Sequence, residues 1–179
     1  GQMLTYSDNQ TSELLLKELG LQVRGTGSTE AGVDALAAVL TGLGVDLAGS
    51  RFADGSGLSD ANRHTCGLLV DLLVLAGSDS QLADGLAVAG ESGTLAEAFL
   101  GTPAQGRVRA KTGSLNDTTT LAGFVTHGRA DDLAFALLVN RDPFIEAADA
   151  ELRDAVVLVM ADYPQRPRLR RVGPVPVEG

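Results

Sequence analysis

At 179 residues the chain is one domain or part of one, and a hydrophobic fraction of 44% suffices for a core and excludes wholesale disorder. Its 14 Lys and Arg against 23 Asp and Glu give a net charge of −9, and Arg166, Arg168, Arg170 and Arg171 all sit in the final stretch, so the rest of the chain repels polyanions and nucleic acid is disfavoured as a partner. Cys66 is the only cysteine, which excludes an intrachain disulfide, and no apolar run approaches the roughly 18 residues needed to span a membrane.

Residues 1–6 are a short apolar entry. Ser7-Asp8-Asn9-Gln10 then opens a helical stretch with Leu14, Leu15, Leu16 and Leu19 available for burial. Ser7 with Gln10 fits a capping box, and Gly20 fits a C-terminal stop. Taken alone, Ser7 and Asn9 are cap residues, since their side chains satisfy free backbone N–H groups. Residues 25–32 form a loop. They fail the dinucleotide fingerprint because position 30 is Glu, and they fail the phosphate-loop pattern because no Gly-Lys-Ser/Thr follows. A helix is predicted over about 31–43, with Val33, Leu36, Val39, Leu40 and Leu43 on its apolar face.

Asp54-Gly-Ser-Gly-Leu-Ser59 is a tight turn. Ser56 is no nucleophile elbow, which needs Gly at positions 54 and 58. Ser59 is expected to cap a Leu-rich helix over roughly 60–76, with His64 and Cys66 in its early turns. Two potential ligands two residues apart do not make a zinc site, so both are structural or surface residues, and no metal is expected. Residues 82–100 are a Gly-broken segment with short helical pieces, and 102–106 a loop. Strands follow over about 107–112, 121–127 and 133–140, with Gly128 and Asp131-Asp132 marking the second connection. Short connections favour an antiparallel meander. His127 is a strand-end residue. A helix over about 146–160 carries Leu152, Val156, Val159 and Met160, and Pro164 helps end it. Helices, then strands, then a closing helix argue for an α+β fold over alternating βαβ units.

The stretch Arg107-Val-Arg-Ala-Lys-Thr-Gly-Ser114 organises the second half. A period of two puts Val108, Ala110 and Thr112 on one face and Arg107, Arg109 and Lys111 on the other. Gly113 removes a side chain where something needs close approach to the backbone.

Four blocks stand in order: Met3-Leu-Thr-Tyr-Ser-Asp-Asn9, Asp54-Gly-Ser-Gly-Leu-Ser59, Val88-Ala-Gly-Glu-Ser-Gly-Thr-Leu95, and Arg109-Ala-Lys-Thr-Gly-Ser-Leu115 with Leu121-Ala-Gly-Phe-Val125. Ser-Asp-Asn followed by Lys-Thr-Gly is the known signature of penicillin-binding proteins and serine β-lactamases. Over about residues 3–160 the set resembles the D-Ala-D-Ala carboxypeptidase/endopeptidase family, the class C low-molecular-mass penicillin-binding proteins. The Asp54–Ser59 and Val88–Leu95 blocks point to this family over β-lactamases. The resemblance implies an α+β fold, a penicillin-binding/serine β-lactamase-like antiparallel sheet flanked by helices, present here only in part. Residues 1–163 would be the C-terminal portion of the catalytic domain and 164–179 an extended Pro- and Arg-containing tail.

The resemblance also implies acyl transfer without a cofactor. A serine attacks the D-Ala-D-Ala carbonyl of a peptidoglycan stem peptide, releases the last D-Ala and leaves an acyl-enzyme for water; β-lactam antibiotics leave a slow acyl-enzyme. Ser7 would relay a proton toward the leaving amine, and Lys111, within hydrogen-bonding reach, would support it. Asn9 would orient a substrate amide and the missing lysine. Thr112 and Ser114 would hold the terminal carboxylate. Around Gly113 and Ser114 the strand edge would pair with the substrate backbone, the Ser114 N–H serving as an oxyanion donor.

One element departs from the pattern. Neither Lys17 nor Lys111 has a serine three residues before it; those positions are Leu14 and Val108. The family's Ser-x-x-Lys is expected in an upstream half of the same protein, which is therefore an expected partner. An extracytoplasmic location follows from the resemblance, although this chain carries no secretory signal. The alternative is a non-catalytic cell-wall-binding or scaffold protein that keeps the cleft.

Overall fold

The computed structural model describes residues 1–127 and 132–163. The expected turn residues Gly128 and Asp131, and the tail from Pro164 onward, lie outside the described residues.

Four antiparallel strands form one sheet in the order β1 (Ala87–Val88), β2 (Val108–Ser114), β3 (Thr118–Val125) and β4 (Leu133–Asn140). The helices are α1 (Gln2–Tyr6), α2 (Asn9–Arg24), α3 (Thr29–Gly42), α4 (Cys66–Ala76), α5 (Gln81–Asp84) and α6 (Ala147–Asp162), with a 3-10 turn at Gly93–Leu95. This is the α+β arrangement the order of elements predicts.

The alternation along the strands decides what covers each face. Val108 and Ala110 of β2, Leu121 and Val125 of β3 and Phe135 of β4 are buried with Val157 and Ala161 of α6. Phe124 points the other way and packs with Leu73 of α4, Ala83 of α5 and Leu86. The sheet is thus a middle layer. Full burial of a Val or Leu side chain stabilises by about 1.5–3 kcal/mol, so these positions anchor the layers. Arg141, just past β4, holds Asp149 of α6 at 2.6 and 2.8 Å, which pins the start of the closing helix to the end of the sheet.

Three local expectations need correction. Ser7 does not cap the following helix; Asp8 does, accepting from the Thr11 N–H at 3.1 Å. Gly20 does not stop α2, which runs on to Arg24 and ends at Gly25 with φ 72°. Gly20 instead lies where α2 crosses α3, and a Cβ there would come within 2.7 Å of the Gly32 nitrogen. Ser59 does not open the Leu-rich helix; Thr65 caps it through the Leu68 N–H at 3.0 Å. The reason is Asp54, which gathers the 54–62 segment around its own carboxylate. That carboxylate accepts from Gly57 N, Ser59 N and Asn62 Nδ2 at 2.7, 2.7 and 2.9 Å. His64 consequently precedes α4 and tilts against Phe52 with ring centres 5.0 Å apart. Of Leu14, Leu15, Leu16 and Leu19 only Leu16 is buried, while Leu14 and Leu15 are 59% and 53% exposed.

Candidate active site

Ser7 is brought to the sheet by a short helix with little intrinsic stability. A five-residue helix is marginal in isolation, so tertiary contacts must hold α1. Thr5 Oγ1 donates to the Gly85 carbonyl at 2.7 Å. Beneath it Gly93 has φ +59°, and a Cβ at Gly93 would collide with the Thr5 carbonyl. Gly93 thus supplies both a left-handed backbone and the space for α1.

α1 ends at Ser7 itself, with φ 59° and ψ 51°. A non-glycine residue in the left-handed region is uncommon and costs free energy, so the surrounding structure must fix it. Here the Asp8 N–H closes the turn onto the Met3 carbonyl at 3.0 Å. Asp8 then turns its carboxylate onto α2, where the Thr11 hydroxyl donates at 2.6 Å and, with the Thr11 N–H, holds the Asp8 pKa below its ordinary value. With Asp8 occupied as the cap, Ser7 is left to face the sheet. Asn9 is the first residue of α2 and is exposed.

Lys111 meets Ser7 from β2. Its Nζ donates to Ser7 Oγ at 2.7 Å and to the Thr112 carbonyl at 2.6 Å. Burial lowers the Lys111 pKa from the ordinary lysine value. An ammonium has three donors, so one remains for a further acceptor, and the Ser7 proton is free to be given elsewhere. A fixed positive charge beside a hydroxyl lowers the cost of negative charge developing on its oxygen.

The next residue projects to the opposite face. Thr112 Oγ1 hydrogen-bonds Thr94 Oγ1 at 2.9 Å. Ser114 ends the strand and is exposed. Gly113 faces Thr120 across the ladder, and the Thr120 hydroxyl takes the space a Cβ would need. The close approach at Gly113 is therefore that of Thr120. β1 pairs only with Arg109 and Ala110, so among the described residues 111–114 have a strand neighbour on the β3 side alone. A free edge beside Lys111 can take an extended peptide as an added strand.

The 54–59 turn walls a separate cleft whose lining includes neither Ser7 nor Lys111. Glu13 Oε1 of α2 accepts from the Gly55 and Ser56 N–H groups at 3.0 and 2.9 Å. Burial pushes the Asp54 pKa up, but the Asn62 amide and the Gly57 and Ser59 N–H groups outweigh it and hold it below the ordinary value. An apolar cleft of about 440 Å³ opens between this turn, α2 and α3, lined by Leu15, Leu16, Leu19, Leu36 and Phe52.

Thr5, Gly93 and Thr94 lie within two of the four sequence blocks, but what they touch is not legible there. They meet the site only because the chain folds back after β1, and no periodicity reports such a contact.

A sheet edge carrying Lys-Thr-Gly, with the Ser-Asp-Asn serine on its lysine, defines the penicillin-binding class of fold. The D-Ala-D-Ala carboxypeptidase 3 (S13) family matches residues 1–163, and the chain belongs to this family. A D-alanyl-D-alanine carboxypeptidase from Actinomadura sp. (strain R39) is 38% identical over 98% of this chain and 34% of its own length. A carboxypeptidase from Mycolicibacterium smegmatis is 38% identical over 78% of this chain and 32% of its own length. Among solved structures, penicillin-binding protein 4 from Haemophilus influenzae, complexed with a novel β-lactam, superimposes with a TM-score of 0.79 at 26% identity, covering 89% of this chain and 40% of that one. The chain thus spans about one third of the length of these curated relatives.

Proposed function

We propose that this chain is the Lys-Thr-Gly and Ser-Asp-Asn portion of a serine-type D-Ala-D-Ala carboxypeptidase/endopeptidase. The observation that carries the reading is the Lys111–Ser7 contact at 2.7 Å beside a free strand edge. In this reading a serine from another segment of the protein attacks the carbonyl between the two D-Ala residues. An ester forms, the C–N bond breaks, and the proton lost by the attacking serine reaches the departing amine through Ser7, which gives one proton and takes one, while Lys111 supports the charge. Water then hydrolyses the ester. Asn9 orients the substrate amide, Thr112 and Ser114 hold its terminal carboxylate, and Gly113 leaves the edge flat.

The same reading makes residues 1–163 part of the catalytic domain and 164–179 a tail. The substrate would be a peptidoglycan stem peptide, the protein would then act outside the cytoplasm, and β-lactams would acylate it. Support for the last point comes from a Bdellovibrio bacteriovorus predatory endopeptidase acylated by penicillin G, 27% identical to this chain with a TM-score of 0.60. The Ser-x-x-Lys nucleophile would come from an upstream half, since neither lysine here follows a serine by three. That departure also sustains a second reading, a non-catalytic wall-binding or scaffold protein that keeps the cleft.

One experiment separates the two. The full-length protein is incubated with a stem peptide ending in D-Ala-D-Ala, and free D-Ala is measured. Stoichiometric release supports the peptidase; binding of the peptide with no release supports the scaffold.

A further inference from the structure

The two threonine hydroxyls beside the free edge have a proton count that bears on substrate recognition. A hydroxyl has one proton and two lone pairs, and a carboxylate can only accept. Thr112 Oγ1 and Thr94 Oγ1 lie 2.9 Å apart, and either hydroxyl can donate to the other. When Thr94 donates to Thr112, the Thr112 proton is left to point outward to a substrate carboxylate. A chain of two hydroxyls aligned in this way is polarised along its length, so each bond strengthens the other.

Thr94 is built to play that part. It is exposed, so water can take up its lone pairs in either state. Its backbone is nevertheless fixed. Leu95 is buried, and its carbonyl accepts from Gly90 N at 2.9 Å. Ser92 Oγ accepts from the Val88 N–H at 3.1 Å. The 3-10 turn begins five residues after β1 leaves the edge, so Thr94 comes up alongside the unpaired part of β2.

We propose that Thr94 is a positioning residue for the substrate carboxylate, acting through Thr112 by donating a hydrogen bond to the Thr112 hydroxyl. The inference rests on the reading above that Thr112 faces the carboxylate. It adds a residue to the specificity of that site for chains with a free C-terminus.

The test compares acylation of the full-length protein by benzylpenicillin and by benzylpenicillin methyl ester, which lacks the carboxylate. The readout is the ratio of the two second-order rate constants. Thr94→Val is expected to lower the acid rate about tenfold and leave the ester rate unchanged, because a hydrogen bond to a charged group loses its support. Thr94→Ser is expected to restore the ratio, and Thr94→Ala to repeat the effect of Val. Equal losses for acid and ester would make Thr94 a mere structural tie and overturn the proposal, as would an unchanged ratio. Thr112→Val separates the two levels of the argument. If it collapses the ratio and Thr94→Val does not, only the role of Thr94 fails. If Thr112→Val leaves the ratio intact, the carboxylate is not held there, and the underlying reading falls with the proposal.

Discussion

Lys111 Nζ lies 2.7 Å from Ser7 Oγ across 104 residues of sequence. The pairing depends on the backbone at each end. Ser7 adopts left-handed angles at the close of α1, and Lys111 alternates away from the buried Val108–Ala110 face. The ammonium also donates to the Thr112 carbonyl, so its position is fixed by the strand that carries it.

Lys111→Ala removes that charge without emptying the core. In the full-length protein it is expected to slow acylation by benzylpenicillin about 10²–10³-fold, the usual loss for a preorganised electrostatic group. Circular dichroism should be unchanged. A folded Lys111→Ala protein that acylates at the wild-type rate would remove Lys111 from the mechanism.

The same residue sets a pH limit. Burial holds the Lys111 pKa below the ordinary 10.5. The group is charged below its own pKa, so the supporting charge is lost at a lower pH than for a free lysine. The rate constant for acylation should therefore fall on the alkaline side with a midpoint below 10.5, and Lys111→Ala should lack this limb. A limb at or above 10.5, or one that survives in Lys111→Ala, contradicts the assignment.

The sequence shows some of this site and hides the rest for physical reasons. The face that Lys111 takes follows from a period of two, and the burial of Val108 and Ala110 bears that alternation out. Ser7 is different. Ser7-Asp8-Asn9 contains three residues able to cap a helix, and local chemistry cannot say which one does. Asp8 takes the cap because its carboxylate reaches both the N–H and the hydroxyl of Thr11. Gly20 misled in the same way. A glycine near a helix end suits a stop, but here it permits two helices to cross, which is a long-range event. The late start of α4 reflects the Asp54 carboxylate, whose partners run from Gly57 to Asn62.

Gly93 offers a test of how Ser7 is positioned. Gly93→Ala places a Cβ at φ +59° and into the Thr5 carbonyl. It is expected to lower stability by about 1–3 kcal/mol and to reduce acylation, because α1 must shift and carry Ser7 away. Gly25→Ala is the control. Gly25 has φ +72° but open space around it, so only the backbone penalty of about 1–2 kcal/mol applies. Acylation should be normal in Gly25→Ala. Equal activity in the two variants would show that α1 does not depend on the Gly93 contact.

The last prediction concerns the nucleophile. Acyl transfer needs a serine or equivalent beside a base. Ser7 is the serine that Lys111 holds, and the only other lysine, Lys17, lies on α2 and has Leu14, not Ser, three residues before it. The 179-residue chain also leaves large apolar side chains in the open. Tyr6 is 66% and Val159 67% exposed, and Leu152, Val156 and Val159 recur at helical spacing along α6. Apolar surface of this kind calls for a partner. The chain alone is therefore expected to form no covalent adduct with benzylpenicillin and to self-associate, whereas the full-length protein is expected to label with one equivalent and stay dispersed. Intact-protein mass spectrometry after incubation reads the adduct, and light scattering reads association. A stoichiometric adduct on residues 1–179 alone would place the nucleophile within this chain, with Ser7 the first candidate to test by Ser7→Ala.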